Sequence, residues 1–143
     1  MNMNDCKTLQ VVLAEDNPGD VELVREALDA QQLSYQLTVK NDGEQMIQFI
    51  QAVDRAAVVP PDLILLDLNL PRADGATLLK HIRACKSCAE VPLIVITSSD
   101  SPRDRQVAAE AKANEYFRKP SDFDEFLRLG EIVRSLVNRA PES

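Results

Sequence analysis

The stretch LILLDLNLPRADG, residues 63–75, decides how the rest of the chain is interpreted. Four branched aliphatic residues run directly into Asp67, and Pro71 and Gly75 follow soon after. An apolar run bounded in this way is typical of a buried strand that ends at the aspartate. Burial penalises a charged carboxylate, so a chain that keeps one at the edge of its core needs a specific reason for doing so.

The composition describes a folded protein of ordinary size. The 143 residues suit one domain, and 45% hydrophobic with 27% charged residues is unlike a disordered chain. The net charge of −7 argues against nucleic acids and anionic membranes, which bind clustered Lys and Arg. No apolar segment approaches the ~20 residues of a membrane span, and the N-terminus lacks an export pattern. Three cysteines without a disulfide framework fit a cytoplasmic protein.

Short apolar runs alternate with longer amphipathic stretches along the chain. The predicted strands are Leu9–Leu13, Tyr35–Val39, Leu63–Leu66, Val91–Ile96 and Tyr116–Phe117. Helices are predicted to begin at the caps Asn17 and Ser101, after the turn Asn41-Asp42-Gly43, near Asp74 and at about Asp122, the last of them running to Asn138. Uniformly apolar central strands favour an α/β fold with a doubly wound parallel sheet of five strands, covered on both faces. Such sheets bind ligands at the carboxyl ends of their strands.

Polar side chains follow four of these strands and should meet at that edge of the sheet. They are Glu15, Asp16, Asp67, Thr97 and Lys119. Three crowded carboxylates repel one another unless a positive group lies between them. Mg²⁺ suits an oxygen-only site completed by water, and Lys119 supplies a second positive charge. This set is equipped for covalent phosphoryl transfer to Asp67, with Lys119 and Mg²⁺ neutralising the phosphoryl oxygens and the Thr97 hydroxyl donating to one of them.

The segments LAEDNPGD, LILLDLNLPRADG, LIVITSSD and EYFRKPSDFDEF resemble the receiver domain of two-component response regulators. The resemblance spans roughly residues 8–138 of a chain, 1–143, that we take as a single receiver domain. It implies a flavodoxin-like (βα)5 fold with strand order 2-1-3-4-5. It also implies a non-enzymatic signalling protein that accepts a phosphoryl group from a histidine kinase.

The same resemblance implies a role for each site residue. Asp67 would be the phosphoacceptor, and the Mg²⁺ ligands would be Glu15, Asp16, Asp67 and the backbone carbonyl of Asn69. Thr97 and Lys119 would contact the phosphoryl group. Thr97 and Tyr116 would form a switch pair that acts on a surface made of the fourth helix, fifth strand and fifth helix.

Three features narrow the resemblance to stand-alone regulators that serve bacterial phytochrome-type histidine kinases. They are the segment LAEDNPGDVELVREAL, the extended AVDRAAVVPPD before the third strand, and a tail without an effector. A regulator of this subgroup would have no output domain and would work in a light-signalling pathway.

The chain departs from the family pattern at three positions. Ser98 stands where Ala or Gly commonly follows the switch threonine, and its small side chain should leave the phosphoryl site open. Lys112 stands where a Gly often ends the fourth helix, so we expect Asn114 to adopt the left-handed conformation there instead. Ser121 replaces a frequent aromatic residue after Lys-Pro and is predicted to cap the last helix.

Two other functions remain open at this point. A phosphatase with an aspartyl-phosphate intermediate is one, although such enzymes commonly place a second acid where this chain has Asn69. A pseudo-receiver that acts only as an interaction module is the other, and the intact set of acids, threonine and lysine argues against it.

Three further features are assigned ordinary structural roles or left between two interpretations. His81 is predicted to be a surface helix residue, and the CxxC of Cys85 and Cys88 is too small a set for a zinc site. In the last helix, the predicted core residues are Phe126, Leu129, Val133 and Leu136. The additional apolar residues Leu127, Ile132 and Val137 indicate either a deeply embedded helix or a partner contact, such as a homodimer through this helix.

Overall fold

The computed structural model describes residues 8–138 and confirms the predicted sheet. Its parallel strands lie in the order β2-β1-β3-β4-β5. Their bounds are β1 Leu9–Ala14, β2 Tyr35–Lys40, β3 Leu63–Leu66, β4 Leu93–Thr97 and β5 Glu115–Arg118. The prediction that β4 begins at Val91 was wrong by two residues. Pro92 has no N–H to donate to a neighbouring strand, and the N–H of Val91 donates to Cys88 O of the preceding turn instead.

The helices pack on both faces of the sheet. They are α1 Pro18–Ala30, α2 Gly43–Asp54, α3 Gly75–Ala84, α4 Pro102–Glu110, α5 Phe123–Phe126 and α6 Arg128–Asn138, with a 3₁₀ turn at Lys86–Cys88. Asn17 caps α1 and Ser101 caps α4, as the sequence predicted, because each side chain accepts a hydrogen bond from a backbone N–H of the first turn. None of the helices within residues 8–138 combines the length and the apolar character that a membrane crossing requires.

The last predicted helix is interrupted, so it forms two elements. The break lies at Leu127, between α5 and α6. Ser121 does not cap α5; Asp122 does, since its side chain accepts a hydrogen bond from the N–H of Asp124. Asp is among the strongest capping residues because its carboxylate also suits the positive end of a helix.

Two hydrophobic clusters lie on opposite faces of the sheet. Alternate residues of β1 divide between them: Val12 and Ala14 face the cluster under α2 and α3, whereas Val11 and Leu13 face the cluster under α1 and α6. Every residue of β3 and β4 is buried, which is why those strands are apolar except for Thr97 at the end of β4. The edge strand β2 alternates between half-buried and exposed residues over most of its length.

The helix α6 packs closely on α1, and Gly130 permits this approach. A Cβ at position 130 would lie 2.1 Å from the carbonyl oxygen of Ala27. The predicted core residues of the last helix, from Phe126 to Leu136, are all buried. Leu127, Ile132 and Val137 are half-buried against the same cluster, so the structure accounts for much of the wide apolar stripe by packing within the chain.

The end of α4 differs from the prediction. Lys112, not Asn114, adopts the left-handed conformation, with a φ of 59°. Asn114 is held instead by pairing with Leu93 at the start of β4: its side-chain oxygen accepts from the N–H of Leu93 at 2.9 Å, and its own N–H donates to Leu93 O at 2.8 Å. Asn114 has no positive φ, and the left-handed turn falls two residues earlier.

Arg83 of α3 holds the end of α4 against the loop that precedes β4. Its guanidinium donates hydrogen bonds of 2.8–3.2 Å to the backbone carbonyl oxygens of Cys88, Ala89, Val91, Ala111 and Lys112. Guanidinium has five N–H donors in a rigid plane, so one side chain can satisfy several carbonyls at the ends of helical turns.

Candidate functional site

The sheet brings four of the predicted site residues to its carboxyl edge. Glu15 directly follows β1, Asp67 directly follows β3, Thr97 ends β4 and Lys119 directly follows β5. Backbone pairing continues past the strand ends, because the N–H of Asp67 donates to Ala14 O at 3.0 Å and that of Lys119 donates to Thr97 O at 2.8 Å. The side chains of the site therefore start from rigid backbone.

Lys119, which the sequence offered as a second positive charge beside Mg²⁺, lies between the carboxylates. Its Nζ is 2.8 Å from Glu15 Oε1, 2.9 Å from Asp67 Oδ2 and 2.7 Å from Asp20 Oδ2. The side chains are 12% exposed for Lys119, 1% for Glu15 and 6% for Asp67. An ammonium group has three N–H donors, and each has a carboxylate acceptor here.

Asp20 is the site residue that sequence reasoning missed. It lies in the first turn of α1, where an acid is already explained by its favourable interaction with the helix dipole. The signal that could have revealed it is its place in the chain. A helix that starts at the carboxyl edge of a sheet carries its first turn beside the groups gathered at that edge.

The environment of the site raises the pKa values of both Glu15 and Lys119, with different consequences for their charge. Burial raises the pKa of Glu15 to about 7, and the charge of Asp67 adds to this, against the lowering effect of the hydrogen bond from Lys119. For Lys119, burial lowers the pKa, but hydrogen bonds to Asp20, Glu15 and Asp67 outweigh it and hold the pKa above its ordinary value. Lys119 therefore stays charged, while Glu15 titrates near neutral pH.

The acidic cluster has the donor chemistry of a magnesium site. Carboxylate oxygens of Glu15, Asp16 and Asp67 all lie within 4.8 Å of one another. Mg²⁺ prefers oxygen ligands and keeps several waters, and the exposed position of Asp16 leaves the cluster open to solvent. Asn69, whose carbonyl was predicted as a further ligand, is held against the cluster because its N–H donates to Asp67 Oδ1 at 2.9 Å. The residues present fit the ion.

A chain of hydrogen bonds joins Asp67 to Tyr116. Beyond the bond from Asn69 to Asp67, the side-chain amide of Asn69 donates to Thr97 Oγ1 at 3.0 Å. Thr97 Oγ1 also accepts from the N–H of Ser99 at 3.2 Å, and Tyr116 Oη donates to Ser99 O at 2.8 Å. The buried threonine thus lies midway along a path from the cluster to the tyrosine on β5.

Arg105 of α4 adds a contact on the far side of this path. Its guanidinium carbon lies 4.4 Å from the centroid of the Tyr116 ring, a cation–π distance. Its Nε donates to Asp100 Oδ1 at 2.6 Å, within the loop between β4 and α4. Tyr116 is therefore in contact with α4 and with the loop that precedes this helix.

Two other chemically reactive groups lie away from this site. His81 is exposed on α3, as predicted. Cys85 and Cys88 are free, buried thiols, and burial together with hydrogen bonding to Cys85 raises the pKa of Cys88 to about 12. Neither belongs to a group of three potential metal ligands in the described part of the chain. Cys6 lies outside the described residues.

The chain is similar in sequence and in fold to known response regulators. The response regulator Rcp1 of Synechocystis sp. (strain ATCC 27184 / PCC 6803 / Kazusa) is 30% identical over 87% of this chain and 86% of its own length. The structure of its Mn²⁺-bound form matches with a TM-score of 0.80 at 28% identity, covering 93% of this chain and 96% of that one. The phosphorylated cyanobacterial phytochrome response regulator RcpA matches with a TM-score of 0.84 at 26% identity, covering 96% and 100%.

Longer relatives share the same region. RpaA, a DNA-binding transcriptional regulator of the same Synechocystis strain, is 26% identical over 94% of this chain, which spans 52% of RpaA. The family model described as the response regulator receiver domain matches residues 11–129. The chain belongs to the response regulator receiver domain family of two-component signalling.

Proposed function

We propose that Asp67 is the phosphoacceptor of this response regulator and that Glu15, Asp16, Asp67 and the carbonyl of Asn69 hold Mg²⁺ beside it. The observation that carries the proposal is the 2.9 Å contact between Asp67 Oδ2 and Lys119 Nζ, with the other two acids within 4.8 Å. A carboxylate that is buried but still reaches both a fixed cation and an open acidic cluster answers the question raised by LILLDLNLPRADG.

The phosphoryl transfer itself needs few groups. A carboxylate oxygen of Asp67 attacks phosphorus, the bond from phosphorus to the donor nitrogen of a phosphohistidine breaks, and the imidazole leaves with the bonding electrons. Lys119 stays charged near neutral pH and neutralises a phosphoryl oxygen. Mg²⁺, when bound, supplies the remaining charge neutralisation. The hydroxyl of Thr97 contacts the phosphoryl group after a small inward movement.

The output of the site follows the path from Thr97 to Tyr116. A phosphoryl group on Asp67 adds charge and acceptor oxygens, which compete for Thr97 with its present partners Asn69 and Ser99. Once Thr97 moves, the loop at Ser99 moves with it and Tyr116 loses its hydrogen-bond acceptor. The surface formed by α4, β5 and the last helix thereby changes between two states.

The proposed phosphodonor is a phytochrome-type histidine kinase, and the proposed location is the cytoplasm. RcpA, described as a phytochrome response regulator, matches nearly the whole chain, which supports the first assignment. The two free thiols are compatible with a reducing compartment. The net charge of −7 favours a protein partner over a nucleic acid. A homodimer through the last helix stays a prediction, to be checked by sedimentation.

A phosphatase activity is not supported by the position that such enzymes use for a general acid. That position is Asn69, whose amide has no proton of suitable acidity and donates to Thr97. We expect the acyl phosphate on Asp67 to be a long-lived signal, with hydrolysis slow and intrinsic.

Incubation with acetyl phosphate and Mg²⁺, followed by intact mass measurement, tests the assignment. The wild-type protein should gain one phosphate mass, and Asp67→Asn should gain none. Asp54→Asn, the same change at an exposed aspartate that ends α2, should behave as the wild type. Phosphorylation of Asp67→Asn, or its absence in the wild type, would contradict the proposal.

A further inference from the structure

Asp20 is the one carboxylate on Lys119 for which the phosphoryl-transfer scheme has no use. Glu15 and Asp67 both belong to the acidic cluster that closes within 4.8 Å, and Asp20 does not. Yet Asp20 Oδ2 lies at 2.7 Å from Lys119 Nζ, which is as short as the contacts with the other two acids. At 23% exposure its side chain is also the most exposed of the three, so it needs no cation to compensate for burial.

The divalent cation and Lys119 would both interact with the carboxylates of Glu15 and Asp67. Lys119 Nζ contacts Glu15 Oε1 and Asp67 Oδ2. An ion held by the same two carboxylates would lie close to the ammonium group and would repel it. The ammonium must then give up an acceptor, and a buried, unpaired N–H donor is costly. Asp20 is the acceptor that lies outside the cluster, so its contact with Lys119 would remain available when the ion binds.

We propose that Asp20 is a positioning residue that retains the Lys119 ammonium when a divalent cation takes Glu15 and Asp67, and that it thereby sets the affinity of the site for that cation. This inference rests on the metal site and the Lys119 role of the proposed function. The backbone supports it: the side chain of Asn17 accepts from the N–H of Asp20 and so fixes the helix turn that carries the carboxylate.

Calorimetric titration with Mg²⁺ in the absence of any phosphodonor tests the role directly. Asp20→Asn keeps the shape of the side chain and should weaken Mg²⁺ binding by about threefold or more, because Lys119 then holds more tightly to Glu15 and Asp67. Glu22→Gln is the matched control: it removes the same charge from the same helix at a side chain that is 69% exposed, and should change affinity by less than about twofold. Asp20→Glu keeps the carboxylate and should retain most of the wild-type affinity for Mg²⁺.

A double-mutant cycle separates positioning from charge alone. In the Lys119→Met background, Asp20→Asn should change Mg²⁺ affinity much less than it does in the wild type, because the ammonium it positions is gone. A purely electrostatic contribution of Asp20 would weaken binding equally in both backgrounds, and that result would overturn the inference. Thermal unfolding of each variant confirms that folded proteins are compared.

The outcome for Asp20 is distinguishable from the outcome for the proposed function. Suppose that the wild type gains phosphate from acetyl phosphate, but Asp20→Asn weakens Mg²⁺ binding equally in the wild-type and Lys119→Met backgrounds. The proposed function then stands, and the positioning role is wrong. If the wild type gains no phosphate, the phosphoacceptor assignment is wrong, whatever the titrations give.

Discussion

The side-chain amide of Asn69 donates a hydrogen bond of 3.0 Å to Thr97 Oγ1, and this contact joins the end of β3 to the end of β4. The backbone N–H of Asn69 also donates a hydrogen bond to Asp67. A change at this carboxylate therefore alters a residue that is hydrogen-bonded to Thr97. Thr97 is fully buried, which leaves its hydroxyl few alternative partners. If Asp67 is phosphorylated as proposed, the change would therefore reach the surface near Tyr116 through Thr97.

Thr97→Val removes the acceptor of two hydrogen bonds while keeping the branched shape. The donors left behind are the Asn69 amide and the N–H of Ser99, so the free energy of unfolding should fall by about 1–3 kcal/mol in urea denaturation. Thr38→Val, the same change at an exposed position of β2, should alter it by less than about 0.5 kcal/mol. Equal effects at the two positions would contradict this account of Thr97.

Tyr116 can be followed by its own fluorescence. The chain has two tyrosines and no tryptophan, so in the Tyr35→Phe background the emission reports on Tyr116. Phosphorylation with acetyl phosphate should change this emission, since Tyr116 loses its bond to Ser99 O. Adding Thr97→Val should abolish the change without abolishing phosphorylation. An unchanged response in that variant would show that the signal bypasses Thr97.

Mg²⁺ binding should tighten as the pH rises from 6 to 8. The pKa of Glu15 in the metal-free protein is raised to about 7, so the side chain is mostly protonated at pH 6, and the cation must displace that proton. Calorimetry in buffers of different ionisation enthalpy should detect proton release that fades above pH 7. Glu15→Gln should bind Mg²⁺ more weakly and with little pH dependence across this range.

The contribution of Glu15 to folding stability should fall as the pH rises, whereas Mg²⁺ binding should tighten. A folded-state pKa above the ordinary 4.5 means that the folded protein binds the Glu15 proton more tightly than the unfolded chain does. This contribution to stability is fully present below about pH 4.5 and is lost as the pH rises through about 7. Without Mg²⁺, Glu15→Gln should remove this part of the pH dependence, and chemical denaturation at a series of pH values measures it.

Lys112→Gly should stabilise the protein. A left-handed backbone costs a non-glycine residue about 1–2 kcal/mol, and Lys112 has a φ of 59°. Part of that gain is offset by the entropy that glycine loses on folding, so we expect a net increase of up to about 1 kcal/mol in the free energy of unfolding. Lys80→Gly, at an exposed position within α3, should instead lose about 1 kcal/mol. Destabilisation by Lys112→Gly would contradict the strain at this residue.

The sequence predicted the sheet and most of the site because both follow from patterns that are local in the chain. Buried parallel strands are mostly apolar, so the first polar residue after each run marks the carboxyl edge, and Glu15, Asp67 and Thr97 follow from this rule. Their convergence then followed from topology alone.

What the sequence did not predict depends on tertiary contacts. Asp20 is an unremarkable first-turn acid until the fold brings Lys119 to 2.7 Å from it. The choice of Lys112 over Asn114 for the left-handed turn runs against intrinsic preference, because Asn114 is committed to pairing with Leu93 in β4. The backbone preferences of single residues carry no information about contacts between residues that are far apart in the sequence, such as Asp20 with Lys119 or Asn114 with Leu93.

The carbonyl contacts of Arg83 have a mechanical consequence for α4. They anchor its C-terminal end through Ala111 and Lys112, whereas Ala108 is the only buried residue of this helix. A displacement that starts at Ser99 should therefore rotate α4 about its C-terminal end, which Arg83 holds. The N-terminal end of the helix, next to Tyr116, should move the most. Lysine has only three N–H donors, so Arg83→Lys could not bond to all five carbonyl oxygens. The C-terminal end of α4 would then be held less firmly, and the movement of its N-terminal end would be smaller.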